Sequence, residues 1–135
     1  MKIISYLHFN GTCEAAFKFY EKVLDGKLVA LRNHADSPIA DKTPREWLPK
    51  IMHAELEIGD QTLMGSDAPP DYYRRPGGFA VSLAVEDEFE SERIFDALSR
   101  DGIVRMPLGP TFWAPRFGIL TDQFGVPWMV SGGSP

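Results

Sequence analysis

The chain has little of several residue types that would point to a specific function. It contains one cysteine and three histidines among 135 residues, which leaves no internal disulfide framework and no His-Glu-x-x-His or Cys-x-x-Cys zinc motif. No apolar run approaches the roughly 18 residues of a membrane-spanning helix. Positive charge is also scarce, because 14 Lys and Arg oppose 19 Asp and Glu and give a net charge of -5. This balance argues against a nucleic-acid partner, whose binding depends on neutralising phosphates.

The rest of the composition is that of an ordinary globular protein. Hydrophobic residues make up 44% and charged residues 24% of the chain. A chain of this length buries roughly two thirds of its unfolded surface, so it needs no disulfide or metal to fold. The single cysteine favours a reducing compartment, and the opening MKIISYLHFNG is too polar for a secretory signal. We therefore expect a cytoplasmic protein that contacts neither membrane nor nucleic acid.

The predicted elements occur in the same order twice. Apolar residues at helical spacing predict helices over 13–24 and 87–100, and each is closed by an Asp-Gly pair. Alternating segments predict one strand before and three strands after each helix. The pattern predicts an α+β fold of two βαβββ repeats, 1–67 and 78–135, joined by a linker at 68–77 within one compact domain. Such repeats form a cupped mixed sheet with the helices on the convex side. An unrelated α+β sandwich is the alternative.

Three local features complete the prediction of elements. Thr12 is expected to cap the first helix, and Asp87 with Glu90 resembles a capping box at the start of the second. The polar segment 34–50, which carries three prolines, is expected to be a long mobile loop. Cys13 continues the apolar stripe of the first helix, which favours packing. The alternative is a thiolate activated by the helix N-terminus.

Several motifs resemble the vicinal oxygen chelate superfamily, which includes glyoxalase I, bleomycin-resistance proteins and extradiol dioxygenases. The opening YLHFNG, followed by AAFKFY, is similar to the start of its members. The segments MHAEL, TFWA and FGVPWM resemble the PhnB-like branch of that superfamily. The resemblance implies the glyoxalase-like fold described above, and it implies a homodimer. Members of this branch often carry a methyltransferase description, although no glycine-rich loop follows a strand here as a nucleotide-type cofactor requires.

The resemblance also implies where a metal would be held. Metal-dependent members ligate one divalent ion from the first and fourth strands of each repeat. The flanking motifs carry these positions over to Ser5 and Met64 in the first repeat, and to Ala80 and Met129 in the second. Because a hydroxyl, a methyl and two thioethers are poor ligands for such an ion, we predict no cofactor and no metal there. A displaced divalent-metal site on His8, His53 and Glu55 is the alternative, although alternation turns His8 away from Ser5.

Strand alternation supports a binding face in the first repeat. With Gly59-Asp60 as a turn, Glu55 falls opposite Met64 and His53 opposite Ser66, away from the apolar side that the helix should cover. The predicted ligand-binding residues are mainly apolar with a few polar groups: Ser5, Leu7, Phe9, His53, Glu55, Met64, Ser66, Ser82, Trp113, Arg116 and Met129. Methionine and aromatic side chains suit a small hydrophobic or aromatic molecule. The competing interpretation is that these side chains only fill the core.

Three functions stay open from the sequence. The first is a PhnB-like vicinal oxygen chelate protein, a homodimer whose mainly apolar, metal-free cleft binds a small organic molecule. The second is a metal-dependent glyoxalase-like lyase, isomerase or dioxygenase with a displaced metal site. The third is a non-catalytic interaction protein with a filled cleft. The sequence names no catalytic residue and does not decide whether the protein is an enzyme.

Overall fold

The computed structural model describes residues 1–134. The chain divides into two compact units, Met1–Arg74 and a second unit that begins at Arg75, and the boundary falls within the segment expected to be a linker. Each unit contains one helix and one four-stranded mixed sheet, in the order strand, helix, strand, strand, strand. The predicted α+β fold with two βαβββ repeats is therefore confirmed.

The first unit is built around one helix and a sheet with one parallel pair. Its elements are β1 (Ser5–Phe9), α1 (Cys13–Val23), β2 (Lys27–Asn33), β3 (Ile51–Ile58) and β4 (Gln61–Asp67). The strand order is β1-β4-β3-β2, with β1 parallel to β4 and the other pairs antiparallel. The segment between β2 and β3, expected to be a mobile loop, contains three short 3-10 turns at His34–Asp36, Ala40–Lys42 and Arg45–Trp47.

The second unit repeats this arrangement. Its elements are β5 (Val81–Val85), α2 (Glu88–Ser99), β6 (Ile103–Gly109), β7 (Arg116–Thr121) and β8 (Pro127–Gly132). The strand order is β5-β8-β7-β6, and β5 runs parallel to β8. One face of α2 buries Ile94, Phe95 and Leu98, while β8 contributes the fully buried Trp128 and Val130. This apolar core fixes the side of the sheet that α2 covers.

The helix starts differ from the predicted capping. Thr12 occupies the N-cap of α1 but makes no side-chain capping bond; instead the Asp67 carboxylate accepts the N–H of Cys13 at 3.0 Å. Asp87 caps α2 as expected by accepting the N–H of Phe89 at 2.9 Å. Glu90, the other member of the expected capping box, accepts hydrogen bonds from Arg93.

The two helices are short. They contain 11 and 12 residues, and among the described residues no helix has both the length and the apolar character needed to cross a membrane.

Candidate functional site

One face of the first sheet is covered by α1. The ring of Phe9 lies edge-on to the ring of Phe17 in the helix, with centroids 6.0 Å apart. A Cβ placed on Gly65 would lie 2.7 Å from the Phe17 ring, so β4 approaches the helix closely there. Leu56 of β3 is fully buried on the same side. Because side chains alternate along a strand, these contacts also define the opposite face.

The opposite face carries a set of polar and sulfur-containing side chains. The register aligns Tyr6 of β1 with Met64 of β4, and Met64 in turn with Glu55 of β3. His8 aligns with Ser66 in the same way. We call this set the first helix-free face, and its members are Tyr6, His8, His53, Glu55, Met64 and Ser66. Alternation correctly predicts that the four members from β3 and β4 share a face, whereas their binding of a ligand stays a prediction.

The expected position of β1 side chains is wrong by one residue. Leu7 is 5% exposed and Phe9 is 1% exposed, and both alternate onto the side covered by α1. Ser5 has the same parity, so it too is turned away from Met64. Ser5, Leu7 and Phe9 therefore do not belong to the first helix-free face. Tyr6 and His8 take their place, because β1 pairs with β4 so that Tyr6, not Ser5, lies level with Met64.

Three members of the first helix-free face form a chain of hydrogen bonds. Nε2 of His53 lies 2.9 Å from Oε1 of Glu55. Nδ1 of the same imidazole lies 3.1 Å from the phenolic oxygen of Tyr6. The side chains of His53 and Glu55 are 30% and 31% exposed, so a small molecule can reach them. His8 stands beside this chain, with its ring centroid 5.2 Å from that of Tyr6.

The second sheet also has a face that α2 does not cover. Ser82 of β5 aligns with Met129 of β8, and Phe117 of β7 aligns with Ser131. The Trp113 ring stands edge-on to Phe117 with centroids 5.2 Å apart. Phe112 extends this aromatic row, with its centroid 4.6 Å from that of Trp113. Ser82, Met129 and Trp113, which the sequence suggests as binding residues, are thus associated with one face, which we call the second helix-free face.

Arg116 is not placed as the sequence suggests. Its Nε atom lies 3.0 Å from Oε1 of Glu92 and 4.0 Å from Oε1 of Glu88, and both glutamates belong to α2. Gly118 is two residues further along β7 and therefore lies on the same side of the sheet, where it is close to Phe95 of α2. Arg116 therefore lies on the side that the helix covers, where two carboxylates neutralise its charge. It is not part of the second helix-free face.

Cys13 is a packing residue and not an activated thiol. The side chain is 0% exposed at the start of α1. Burial raises the pKa of the Cys13 thiol well above its ordinary value, and the Asp67 and Glu14 carboxylates raise the pKa further. The thiol is therefore protonated at neutral pH, which agrees with the packing interpretation of the sequence and overturns the thiolate alternative.

The donors on these faces do not fit a divalent metal site. Both ring nitrogens of His53 are already engaged, one by Glu55 and one by Tyr6. Thioether sulfur and serine hydroxyl, the donors of Met64 and Ser66, are weak ligands for a hard or borderline divalent ion. Within residues 1–134, no three His, Cys, Asp or Glu side chains are grouped so that they could hold a metal. The displaced site on His8, His53 and Glu55 is therefore not assembled in this arrangement.

A cavity of about 400 Å³ lies elsewhere in the first unit, beside the start of α1. Its charged groups bond within the chain: Lys50 donates to the carbonyl of Gly11 at 3.0 Å, and Lys18 pairs with Glu14 at 2.6 Å. Asp67, also in its wall, accepts the backbone N–H groups of Cys13 and Ile51. Since these groups serve the fold, we do not take this cavity as the functional site.

Comparison with known proteins shows which class of protein has this fold. The arrangement of two βαβββ repeats is the vicinal oxygen chelate fold. The fosfomycin resistance protein FosX from Mesorhizobium loti shares the fold, with a TM-score of 0.60 at 14% identity over 99% of this chain and 92% of FosX. The chain belongs to the family described as 3-demethylubiquinone-9 3-methyltransferase, which its residues 1–131 match, and it is PhnB-like.

Relatives of higher sequence identity cover nearly the whole chain. The protein PA1353 from Pseudomonas aeruginosa is 47% identical, with a TM-score of 0.91 over 100% of this chain and 99% of that one. Protein YjdN from Escherichia coli K12 is 33% identical over 139 residues, which cover 97% of this chain and 95% of YjdN. The PhnB protein from Bacillus cereus is 25% identical, with a TM-score of 0.83 over 98% of this chain and 100% of that one.

The residue that sequence reasoning missed is Tyr6. Its signal was the alternation of β1, in which Leu7 and Phe9 are apolar while Tyr6 and His8 are not. That pattern places Leu7 and Phe9 in a core and leaves Tyr6 and His8 on the opposite face.

Proposed function

We propose that this protein binds a small organic molecule on the first helix-free face, without a resident metal ion or cofactor. The observation that carries the proposal is the engagement of both His53 nitrogens by Glu55 and Tyr6. An imidazole held at both ends orients its neighbours and has no lone pair left for a metal. The Met64 side chain beside it supplies an adaptable apolar surface.

The second helix-free face supports the same class of ligand. Trp113 is 44% exposed and rests edge-on against the buried Phe117, so its ring offers an aromatic surface to solvent. Met129 and Ser82 lie on this face as well. An apolar, aromatic lining with a few polar groups is typical of sites for small organic ligands. We infer that the ligand has an apolar or aromatic body with at least one polar group.

The family description names a methyltransferase, but the residues present do not fit a nucleotide-type methyl donor at the first strand–helix connection. Such a cofactor requires a glycine-rich turn whose helix N–H groups are free. Here Gly11 is packed against the Lys50 side chain, and the first N–H of α1 is bonded to Asp67. The Asp67 carboxylate would also repel an anionic group. We therefore derive no methyl transfer from this site.

Two measurements on purified full-length protein test the proposal. Elemental analysis after purification without chelators should find less than a stoichiometric amount of any divalent metal. Titration of ¹⁵N-labelled protein with a library of small aromatic fragments should shift amide signals of residues on the first helix-free face. A tightly held stoichiometric ion would overturn the metal-free proposal. A library that shifts no signal on that face would overturn the proposed binding site.

A charged substitution on the face gives the matched control. Met64→Glu should abolish fragment binding, because it replaces the apolar side chain between Tyr6 and Glu55 with a second carboxylate. Phe89→Glu introduces the same carboxylate on α2, away from both helix-free faces and from β6, at a side chain that is 81% exposed, and should leave binding intact. Loss of binding in both variants, or in neither, would contradict the assignment of the face.

We further propose that the chain forms a homodimer in the cytoplasm. The support for pairing is the edge strand β6, on which Ile103 and Val104 are 53% and 45% exposed. An edge strand with exposed apolar side chains favours pairing with a second chain. Light scattering should give twice the mass of 15.1 kDa, and Val104→Lys should lower it. A monomer at all concentrations would refute the pairing.

The proposed location in the cytoplasm is supported by the one cysteine. It is buried and unpaired, which suits a reducing compartment.

A further inference from the structure

The hydrogen bonds of the Tyr6–His53–Glu55 chain determine which atom carries each proton. An ionised carboxylate only accepts hydrogen bonds, so the 2.9 Å contact requires that Nε2 of His53 carries hydrogen and donates to Glu55. In a neutral imidazole the other nitrogen, Nδ1, is then an acceptor. The hydrogen in the 3.1 Å contact between Nδ1 and the Tyr6 oxygen must therefore be the phenolic one. Glu55 in this way fixes the direction of both bonds.

The same logic fixes what Tyr6 offers to anything else. A phenol has one hydrogen, and Tyr6 uses it toward His53. Only lone pairs remain on its oxygen, and donation to the imidazole makes that oxygen a stronger acceptor. Tyr6 is 41% exposed, so this oxygen is accessible beside Met64 on the first helix-free face.

We infer that Tyr6 is a specificity-determining residue that selects ligands presenting an O–H or N–H donor. The ligand class is a small phenol, alcohol, amine or amide with an apolar body, and ethers, ketones and hydrocarbons of the same shape are disfavoured. The inference rests on the proposed function, because it names the chemistry of the ligand that binds the same face. Glu55 and His53 act as positioning residues for this selection, because their hydrogen bonds set the direction in which the Tyr6 hydroxyl points its hydrogen.

A probe series that differs only in the donor tests the inference. The probes are phenol and aniline, which carry a donor, and toluene and anisole, which carry none. Titrations of the ¹⁵N-labelled full chain should give dissociation constants at least about tenfold lower for the donor probes, because a site group left unpaired penalises the wrong ligand. Tyr6→Phe should weaken the binding of phenol by that factor and leave the affinity for toluene unchanged.

Variants at the two ends of the chain separate positioning from general structural damage. Glu55→Gln replaces the carboxylate with an amide that can donate or accept, so the direction of the two hydrogen bonds in the chain is no longer fixed. The preference for donor probes should then fall several-fold. Glu57→Gln makes the same loss of charge two residues along β3, at an exposed position, and should keep the wild-type preference. Tyr72→Phe, at a side chain 77% exposed in a loop, is the matched control for Tyr6→Phe.

The tautomer of His53 gives a readout that requires no ligand. Long-range ¹H–¹⁵N correlation of the imidazole should show hydrogen on Nε2 in the wild type and in Glu57→Gln, and a mixture of tautomers in Glu55→Gln. A wild-type ring with hydrogen on Nδ1 would overturn the inference. So would equal affinities for phenol and toluene on this face, an outcome that leaves the proposed binding function standing. If no probe shifts this face, both proposals fail.

Discussion

Asp25 and Asp101 occupy equivalent places in the two repeats and adopt the same unusual backbone conformation. Their φ angles are 52° and 58°, in the left-handed region that L-residues rarely enter. Each follows a helix and precedes a glycine, Gly26 or Gly102, that passes close to the backbone of a neighbouring strand. Aspartate tolerates this conformation better than most residues do. The two Asp-Gly pairs therefore form the same helix stop in both repeats.

The glycines of these pairs should be intolerant of a side chain. A Cβ on Gly26 would lie 2.8 Å from the carbonyl oxygen of Glu57, and a Cβ on Gly102 would overlap the carbonyl oxygen of Thr121. Because both obstacles are backbone atoms, a strand must shift to make room. We expect Gly26→Ala and Gly102→Ala each to lower the free energy of unfolding by about 1–3 kcal/mol, measured by urea denaturation.

Gly77 provides the control for this prediction. A Cβ on Gly77 would meet nothing within 4 Å, and its φ angle is not positive. Gly77→Ala should change stability by less than about 0.5 kcal/mol. Equal effects of the three substitutions would show that backbone flexibility, not steric overlap, dominates at these positions.

The orientation of β1 predicts opposite outcomes for two adjacent residues. Phe9 is 1% exposed against Phe17 of α1, whereas His8 is exposed on the first helix-free face. Phe9→Ala should lower the free energy of unfolding by about 3–5 kcal/mol, because it removes a ring from the core. His8→Ala should change it by less than about 0.5 kcal/mol. A reversed order in thermal or urea unfolding would mean that β1 is turned over.

The buried carboxylate of Asp122 should not be replaceable by its amide. One oxygen accepts the backbone N–H groups of Phe124 and Val126 at 2.8 and 3.0 Å, and the other accepts Nε1–H of Trp128 at 2.9 Å. In Asp122→Asn the amide nitrogen must face one of these donors, whichever way the group is turned. We expect a loss of about 1–3 kcal/mol in the free energy of unfolding, which urea titration would measure.

A double-mutant cycle distinguishes this explanation from a general loss of packing. Trp128→Phe removes the indole donor, so the amide nitrogen introduced by Asp122→Asn no longer meets an opposing N–H there. Asp122→Asn should then be less destabilising in the Trp128→Phe background than in the wild type. Strict additivity of the two substitutions would contradict the proposed conflict between donors.

Local sequence signals predict most of the fold, because helix periodicity, helix stops and tight turns depend only on residues that are close in the sequence. Helical periodicity and the Asp-Gly stops place α1 and α2 within a residue or two of their observed ends. The turn at Gly59-Asp60 fixes the pairing of β3 with β4, so the shared face of His53, Glu55, Met64 and Ser66 follows from alternation. None of these inferences needs a contact between distant parts of the chain.

The inferences that failed depend on such distant contacts. The face of Tyr6 is set by parallel pairing with Met64, far along the chain, and a shift of one residue turns every side chain of β1 to the other side. Arg116, predicted to bind the ligand, lies on the other side of its sheet because its long side chain reaches Glu88 and Glu92 of α2. Neither partner is visible in the local sequence around the residue concerned.

Cys13 should make stability depend on alkaline pH. Burial, with the nearby carboxylates, raises the thiol pKa in the folded chain, whereas the unfolded thiol keeps the ordinary pKa of 9.0. Above that pH the unfolded state therefore binds fewer protons than the folded state does, and stability falls as pH rises. The slope is about 1.4 kcal/mol for each pH unit, until the folded thiol itself ionises. Below the unfolded pKa this contribution does not change with pH.

Comparison with Cys13→Ala isolates this contribution. The variant loses packing by an amount independent of pH, while the ionisation of every other group is largely shared with the wild type. The difference in free energy of unfolding between the two proteins should be constant below about pH 8 and should shrink between about pH 9 and pH 11. Urea titrations across this range measure it, and native Cys13 should resist alkylation at the same time. Parallel pH profiles, or rapid labelling of the folded protein, would show that the thiol ionises normally and that α1 does not enclose it.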